Sequence, residues 1–121
     1  MDFALSNEVE EYRVRVRDFV AQHILPLEID PTNSDEHENI KEDVLRFVRA
    51  KAKAAGLWAL QMPVERGGKG LSVVGMAACY EEMGRSIYGP VCFNSAAPDD
   101  GNMIVLSRVA TEVQKDRWLQ P

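Results

Sequence analysis

Cysteine and histidine are scarce in this chain, and long apolar runs are missing. Cys79 and Cys92 are the only cysteines in 121 residues. They lack a CxxC spacing, which argues against a zinc ribbon and a disulfide framework. Both sit among apolar neighbours and read as buried free thiols in a reducing compartment. His23 and His37 stand far apart and match no metal-ligand spacing. No apolar run approaches the ~20 residues that cross a bilayer. The start, Met1-Asp2-Phe3-Ala4-Leu5 followed by Glu8, Glu10 and Glu11, resembles neither a secretory signal nor an Arg-rich transit peptide. A cytoplasmic protein is expected. Basic residues are outnumbered, 14 against 19 acidic, for a net charge of −5. That balance disfavours binding to a nucleic-acid backbone, which needs concentrated Lys and Arg.

What remains is the composition of one globular domain, 45% apolar and 27% charged. A chain of this length buries roughly two-thirds of its unfolded surface, enough for one core without staples. Val9, Tyr12, Val16, Phe19, Val20 and Ile24 recur at helical spacing and predict a helix from Asn7 to about Glu28. Asn7 with Glu10 is a candidate capping pair. Pro26 and Pro31 end or bend this helix. A polar loop over 30–38 leads to a cap at Ser34 or Asp35. A second helix then runs to about Ala55 with the stripe Ile40, Val44, Phe47, Val48, Ala52 and Ala55, and Gly56 as its left-handed stop. Trp58, Leu60 and Met62 alternate with other residues and suggest an extended piece before Pro63.

Ser72 is placed to cap a third helix with Val73, Met76, Ala77, Tyr80 and Met83 on one face, and with Glu81 and Glu82 on its polar face. Pro90 suits the first position of a fourth helix. Pro98 must interrupt it, because an interior proline costs about 3 kcal/mol. A break at 97–99 and a restart at Asp99 through Val109 follow. Thr111 and Gln114 have capping-box form and open a last helix toward Trp118 and Leu119. Little strand signal and no repeat leave an all-α bundle of about five to six helices. An ending on Trp118-Leu119-Gln120-Pro121 reads as a fragment boundary rather than a frayed terminus.

Chemistry-bearing patterns are sparse. Gly67-Gly68-Lys69-Gly70 lacks the Walker spacing and reads as a tight turn. Asp99 and Asp100 are adjacent and suit capping better than acid–base pairing. Ser95 has no histidine nearby, so no hydrolase triad is suggested. The run from Phe93 to Met103 is the oddest feature. Its small residues, proline break and freed backbone groups suit either a packing kink or close approach of a small ligand. No catalytic group and no metal site is identifiable.

The order of these pieces resembles the N-terminal helical domain of the acyl-CoA dehydrogenase family across essentially the whole chain. The segments are Phe19-Val20-Ala21-Gln22-His23-Ile24-Leu25-Pro26, Ala54-Ala55-Gly56-Leu57, and Met62 to Leu71 (similar to "P-E-x-G-G-x-G"). Glu81-Glu82-Met83-Gly84-Arg85-Ser86 and Val109 to Pro121 (similar to "G-T-E-E-Q-K-x-x-W-L-x-P") complete the set. Ala110 and Val113 depart mildly from the last pattern. Ala96 to Met103 resembles a subset of the family that includes members acting on long acyl chains.

The resemblance implies an FAD-dependent oxidoreductase of fatty acid metabolism that dehydrogenates acyl-CoA thioesters at the α and β carbons. It implies that residues 1–121 form the first of three domains. A middle β-domain and a C-terminal helical domain, which carries the glutamate base in most members, lie outside this chain and hold most of the FAD. It further implies an electron-transfer-flavoprotein-like acceptor and a homo-oligomer for the whole enzyme, and an inactive fragment. By position, Phe93, Asn94, Ala97 and Gly101 would face the acyl chain. An acyl-CoA oxidase, a nitroalkane-oxidising relative and a non-catalytic helical interaction module are the alternative readings.

Overall fold

The computed structural model describes residues 4–119. Helix α1 spans Asn7–Phe19, and α2 spans Leu25–Ile29. A π-helical turn, Val20–Ile24, joins them into one nearly continuous rod. The amide of Leu25 donates to the carbonyl of Val20, five residues back. Pro26, in the first turn of α2, has no N–H to offer the ordinary partner at Gln22. The widened turn absorbs that loss and keeps both Val20 and Ile24 fully buried. The helix cap is Ser6 rather than Asn7: its Oγ accepts from the Val9 amide at 3.3 Å.

Helix α3 spans Glu42–Ala54, α4 spans Val73–Met83 and α5 is the single turn Gly89–Cys92. Helices α6, Asp99–Val109, and α7, Glu112–Trp118, follow. The described residues hold no strand, only an isolated bridge between Ser34 and Ile40. The all-α expectation holds. Helix α1 lies along α4, and α3 packs on α5. Val16, Phe19, Val20, Ile24, Val48, Leu60, Met83 and Phe93 occupy the shared core.

Several local expectations hold for local reasons. The Ser72 Oγ accepts from the Gly75 amide at 3.1 Å. Thr111 and Gln114 form the capping box. Gly56 closes α3 with φ +68, a conformation in which a Cβ is strained. Other expectations fail. Helix α3 begins at Glu42, and Asp35 instead folds its own loop by accepting from the His37 and Asn39 amides at 2.8 and 2.9 Å. Asx turns of this kind compete with helix initiation. Phe47 does not face the core and is 61% exposed. Its ring carries the Lys51 ammonium 4.7 Å from the centroid. On α4, Val73 and Ala77 face outward while Met76 and Met83 are buried. The 57–63 segment is a run of turns, with Ala59 at φ 46, rather than an extended strand.

Glu82 is the largest reversal. It is buried, not on a polar face. Arg13 of α1 donates to its Oε1 at 2.8 Å while holding Glu10 at 2.6 Å with another nitrogen. A buried carboxylate is tolerated only when paired in this way. The pair therefore fixes how α1 meets α4.

Candidate functional site

The interruption between α5 and α6 is where a proline breaks the helical path in the second half of the chain. Helix α5 ends at Cys92, well before the expected break at 97–99, and Phe93 follows with a fully buried side chain that tilts against Phe19 with ring centroids 5.2 Å apart. Asn94 follows with φ 57, in the left-handed region that asparagine tolerates better than most residues. The peptide bond before Pro98 is cis. Helix α6 then restarts at Asp99, as the proline dictates.

A break of this kind frees backbone carbonyls and amides. Here they are taken up internally. The Phe93 carbonyl accepts from the Ala59 amide at 2.9 Å, and the Asn94 carbonyl accepts from Gln61 Nε2 at 3.1 Å. Gln61 Nε2 also donates to Asp100 Oδ1 at 3.0 Å, and Ser95 Oγ donates to Gln61 Oε1 at 3.3 Å. The Tyr80 hydroxyl donates to Asp100 Oδ2 at 2.6 Å. Burial, reinforced by that bond to Asp100, pushes the Tyr80 hydroxyl well above the ordinary phenol range. Asp100 is thus a tie between α4, the 57–63 turns and α6, not the helix cap expected of it; α6 has no side-chain cap. Tyr80 and Asp100 stand 20 residues apart, so no local pattern announced them.

The four residues expected to face a ligand do not share one environment. Phe93 lies in the core. Asn94 is half-buried, lines three adjoining hollows and donates from Nδ2 to Met103 Sδ at 3.2 Å. Ala97 and Gly101 are exposed. A Cβ at Gly101 would meet nothing within 4 Å. Beside them an apolar groove of about 430 Å³ runs between α4 and α6, lined by Leu71, Met76, Ala77 and Ile104, with Tyr80 and Asp100 at its polar end.

The remaining candidates resolve structurally. His23 sits edge-on to Phe19 at 4.8 Å. The two thiols are buried, Cys79 pushed up to about 11 and Cys92 to about 12 by desolvation. Among the described residues no three metal-ligating side chains converge, and no helix is long and apolar enough to cross a membrane.

Residues 6–121 match the N-terminal domain of acyl-CoA dehydrogenases. The chain belongs to the acyl-CoA dehydrogenase family. It is 38% identical over 125 residues to acyl-CoA dehydrogenase family member 11 of Rattus norvegicus, covering 98% of this chain and 16% of that protein. It is 34% identical to "Probable acyl-CoA dehydrogenase FadE2" of Mycobacterium tuberculosis, covering all of this chain and 30% of that protein. A solved chain assigned as an acyl-CoA dehydrogenase of Mycobacterium abscessus superposes with a TM-score of 0.82 at 37% identity, covering 98% of this chain and 32% of its own. The chain thus spans about a sixth to a third of the length of these relatives.

The FAD that the acyl-CoA dehydrogenase family implies finds no phosphate cradle in the glycine loop. The amides of Gly67, Gly68, Lys69 and Gly70 donate to the carbonyls of Val64, Pro63, Leu60 and Met62 at 2.8–3.3 Å. A Cβ at Gly68 would lie 2.0 Å from the Met62 carbonyl oxygen. The loop is closed on its own chain. Among the described residues no buried side-chain polar atom is left without a partner. These residues do not by themselves fit a flavin.

Proposed function

We propose that this chain is the N-terminal domain of an FAD-dependent acyl-CoA dehydrogenase and forms a wall of the acyl-thioester pocket. The observation that carries the reading is family membership over residues 6–121. Asn94, Ala97 and Gly101 supply the surface of that wall, and Phe93 the packed layer behind it. The substrate class is an acyl-CoA thioester, and the reaction is α,β-dehydrogenation. The FAD is held beyond these residues, in a middle β-domain and a C-terminal helical domain. The full protein works as a homo-oligomer with an electron-transfer-flavoprotein-like acceptor.

The share of this chain is shape and dryness. Small side chains at 97 and 101 leave room for an alkyl chain. The Gln61–Asp100–Tyr80 network keeps that surface at one register, because each of its polar groups is already partnered and has no need of water. An apolar wall excludes water and discriminates chain length by a few kcal/mol at most.

The test uses the protein expressed from its whole reading frame. Its flavin absorbance is recorded anaerobically against a series of acyl-CoA chain lengths. Bleaching by one chain-length class is expected. A protein that reconstitutes with FAD yet never bleaches overturns the dehydrogenase reading. Ala97→Phe in that protein is expected to shift the preferred length downward, and an unchanged preference removes Ala97 from the wall.

A further inference from the structure

The Gln61 side chain grips both ends of the loop that carries Ala97. Its Nε2 donates to the Asn94 carbonyl at 3.1 Å and to Asp100 Oδ1 at 3.0 Å, and its Oε1 accepts from Ser95 Oγ at 3.3 Å. Both N–H donors and the carbonyl of one amide are thereby committed to residues 94–100. Gln61 is itself mounted on the core. Its neighbours Leu60 and Met62 are buried. The Ala59 amide donates to the Phe93 carbonyl at 2.9 Å, and the Met62 amide to the Ala59 carbonyl at 2.9 Å. From the other side, the Tyr80 hydroxyl of α4 holds Asp100 Oδ2 at 2.6 Å. The loop has little apolar packing of its own. Ala97 and Pro98 are exposed, and α6 gives no residue to the buried cluster. Where Ala97 and Gly101 stand is therefore set by directional hydrogen bonds, which weaken steeply off their preferred distance and angle.

We propose that Gln61 is a positioning residue for acyl-chain-length selectivity, an assignment that rests on the acyl-thioester reading above. Its amide does not touch the substrate. It fixes how closely the surface of Ala97 and Gly101 approaches an acyl chain, by holding Asn94 and Asp100 at one separation. An apolar pocket distinguishes ligands that differ by one methylene by roughly 10–200-fold. That discrimination requires a wall that does not yield, because a wall free to move accommodates the longer chain. Selectivity then depends on a residue of the 57–63 turns, more than thirty positions before the wall it controls.

The test follows anaerobic flavin bleaching of the full protein with straight-chain saturated acyl-CoAs of graded length. The limiting rate and the half-saturating concentration are measured for each length. Gln61→Leu keeps the approximate size of the side chain and removes its three bonds to the loop. The ratio of bleaching efficiencies between the preferred and the neighbouring chain lengths is expected to fall about tenfold, mainly through half-saturation. Gln61→Glu is expected to act likewise, because its carboxylate cannot donate and faces that of Asp100. Gln61→Glu/Asp100→Asn exchanges amide and carboxylate, restores the bond between the two positions with its donor reversed, and is expected to regain selectivity over Gln61→Glu. Val48→Ala opens the buried face of α3 and serves as a control for lowered stability, with the parental length profile expected. Circular dichroism and flavin content verify that each variant is folded.

A parent that bleaches while Gln61→Leu keeps its length profile overturns the role of Gln61 and leaves the dehydrogenase reading intact. So does an exchange variant no more selective than Gln61→Glu. An equal loss of selectivity in Val48→Ala also overturns it, since the effect is then one of stability alone. A parent that never bleaches overturns the acyl-CoA reading, and the selectivity role with it.

Discussion

Two glycines of this domain invite opposite outcomes from the same substitution. A Cβ at Gly89 would stand 1.8 Å from the Met83 carbonyl oxygen, which is backbone and cannot swing aside. A Cβ at Gly101 meets nothing within 4 Å, in the first turn of α6. Gly101→Ala is expected to stabilise the fold by about 0.5–1 kcal/mol, the usual helical gain, and Gly89→Ala to destabilise it strongly. Thermal melts of the two variants read both signs. The thiols give a second expectation. Cys79 and Cys92 ionise in the fold near 11 and 12, against about 8.5 in an unfolded chain. The folded state therefore retains protons that the unfolded state releases. This contribution to stability is complete below about pH 8.5. It is lost as pH rises through 11 to 12. Urea midpoints of Cys79→Ala/Cys92→Ala are expected to fall less steeply with pH over that window than those of the parent.

Among the elements, α7 depends most on charge. It buries no residue, and Arg66 of the 64–66 turn ties it down through Glu112 and through Asp116 at 3.3 Å. Hydrogen bonds from Lys115 and then Arg66 hold the Glu112 carboxyl below the ordinary carboxylate range. A depressed carboxylate supports docking above its unfolded value of about 4.3, and the support disappears as pH falls through the lower folded value. Acid titration followed by Trp118 fluorescence is expected to report release of α7 below pH 4, and Arg66→Gln to release it at neutral pH. Glu112 is exposed, so added salt weakens the tie as well. Helix α6 hangs on its network instead. Asp100→Ala strips the acceptor from Tyr80 and Gln61 and is expected to cost about 1–3 kcal/mol, the penalty for unpaired polar groups; a chemical denaturation midpoint measures it.

Across the whole molecule, stability is unevenly spread. The buried cluster draws on α1, the π turn, α3, α4 and α5, and none of its members comes from α6 or α7. Val105, Val109, Val113 and Trp118 stay more than half exposed on that pair. Regions with few buried apolar contacts open at lower free energy than the core. Amide hydrogen exchange is therefore expected to be fastest in α6 and α7, slowest along Val16–Ile24 and Met76–Met83, and faster still in α6 for Asp100→Ala. Equal protection throughout contradicts this division. The same pair carries Ala97's neighbour Pro98 as its cap and Gly101 in its first turn, so the proposed acyl wall stands on helices that give no residue to the buried cluster.

Helix existence and the starts of α4, α6 and α7 were legible in the residue order. Ser72 and Thr111 start helices through bonds that span three residues, and α6 restarts straight after Pro98, whereas α5 stops at Cys92, short of the proline expected to end it. Such energies are set by adjacent backbone groups and need no distant partner. The order of the motifs also carried the family. Tertiary structure decided which faces were buried and which polar groups were paired. Phe47 lies on the apolar stripe of α3 yet faces outward, because the core fills from Leu45, Val48 and Ala52. Glu82 turns inward only because Arg13, 69 residues earlier, arrives across α1. Asp100 serves Tyr80 and Gln61 instead of its own helix. Burial of a charge is favourable only once its partner is in place, and where that partner lies is a property of the assembled helices rather than of any stretch of sequence.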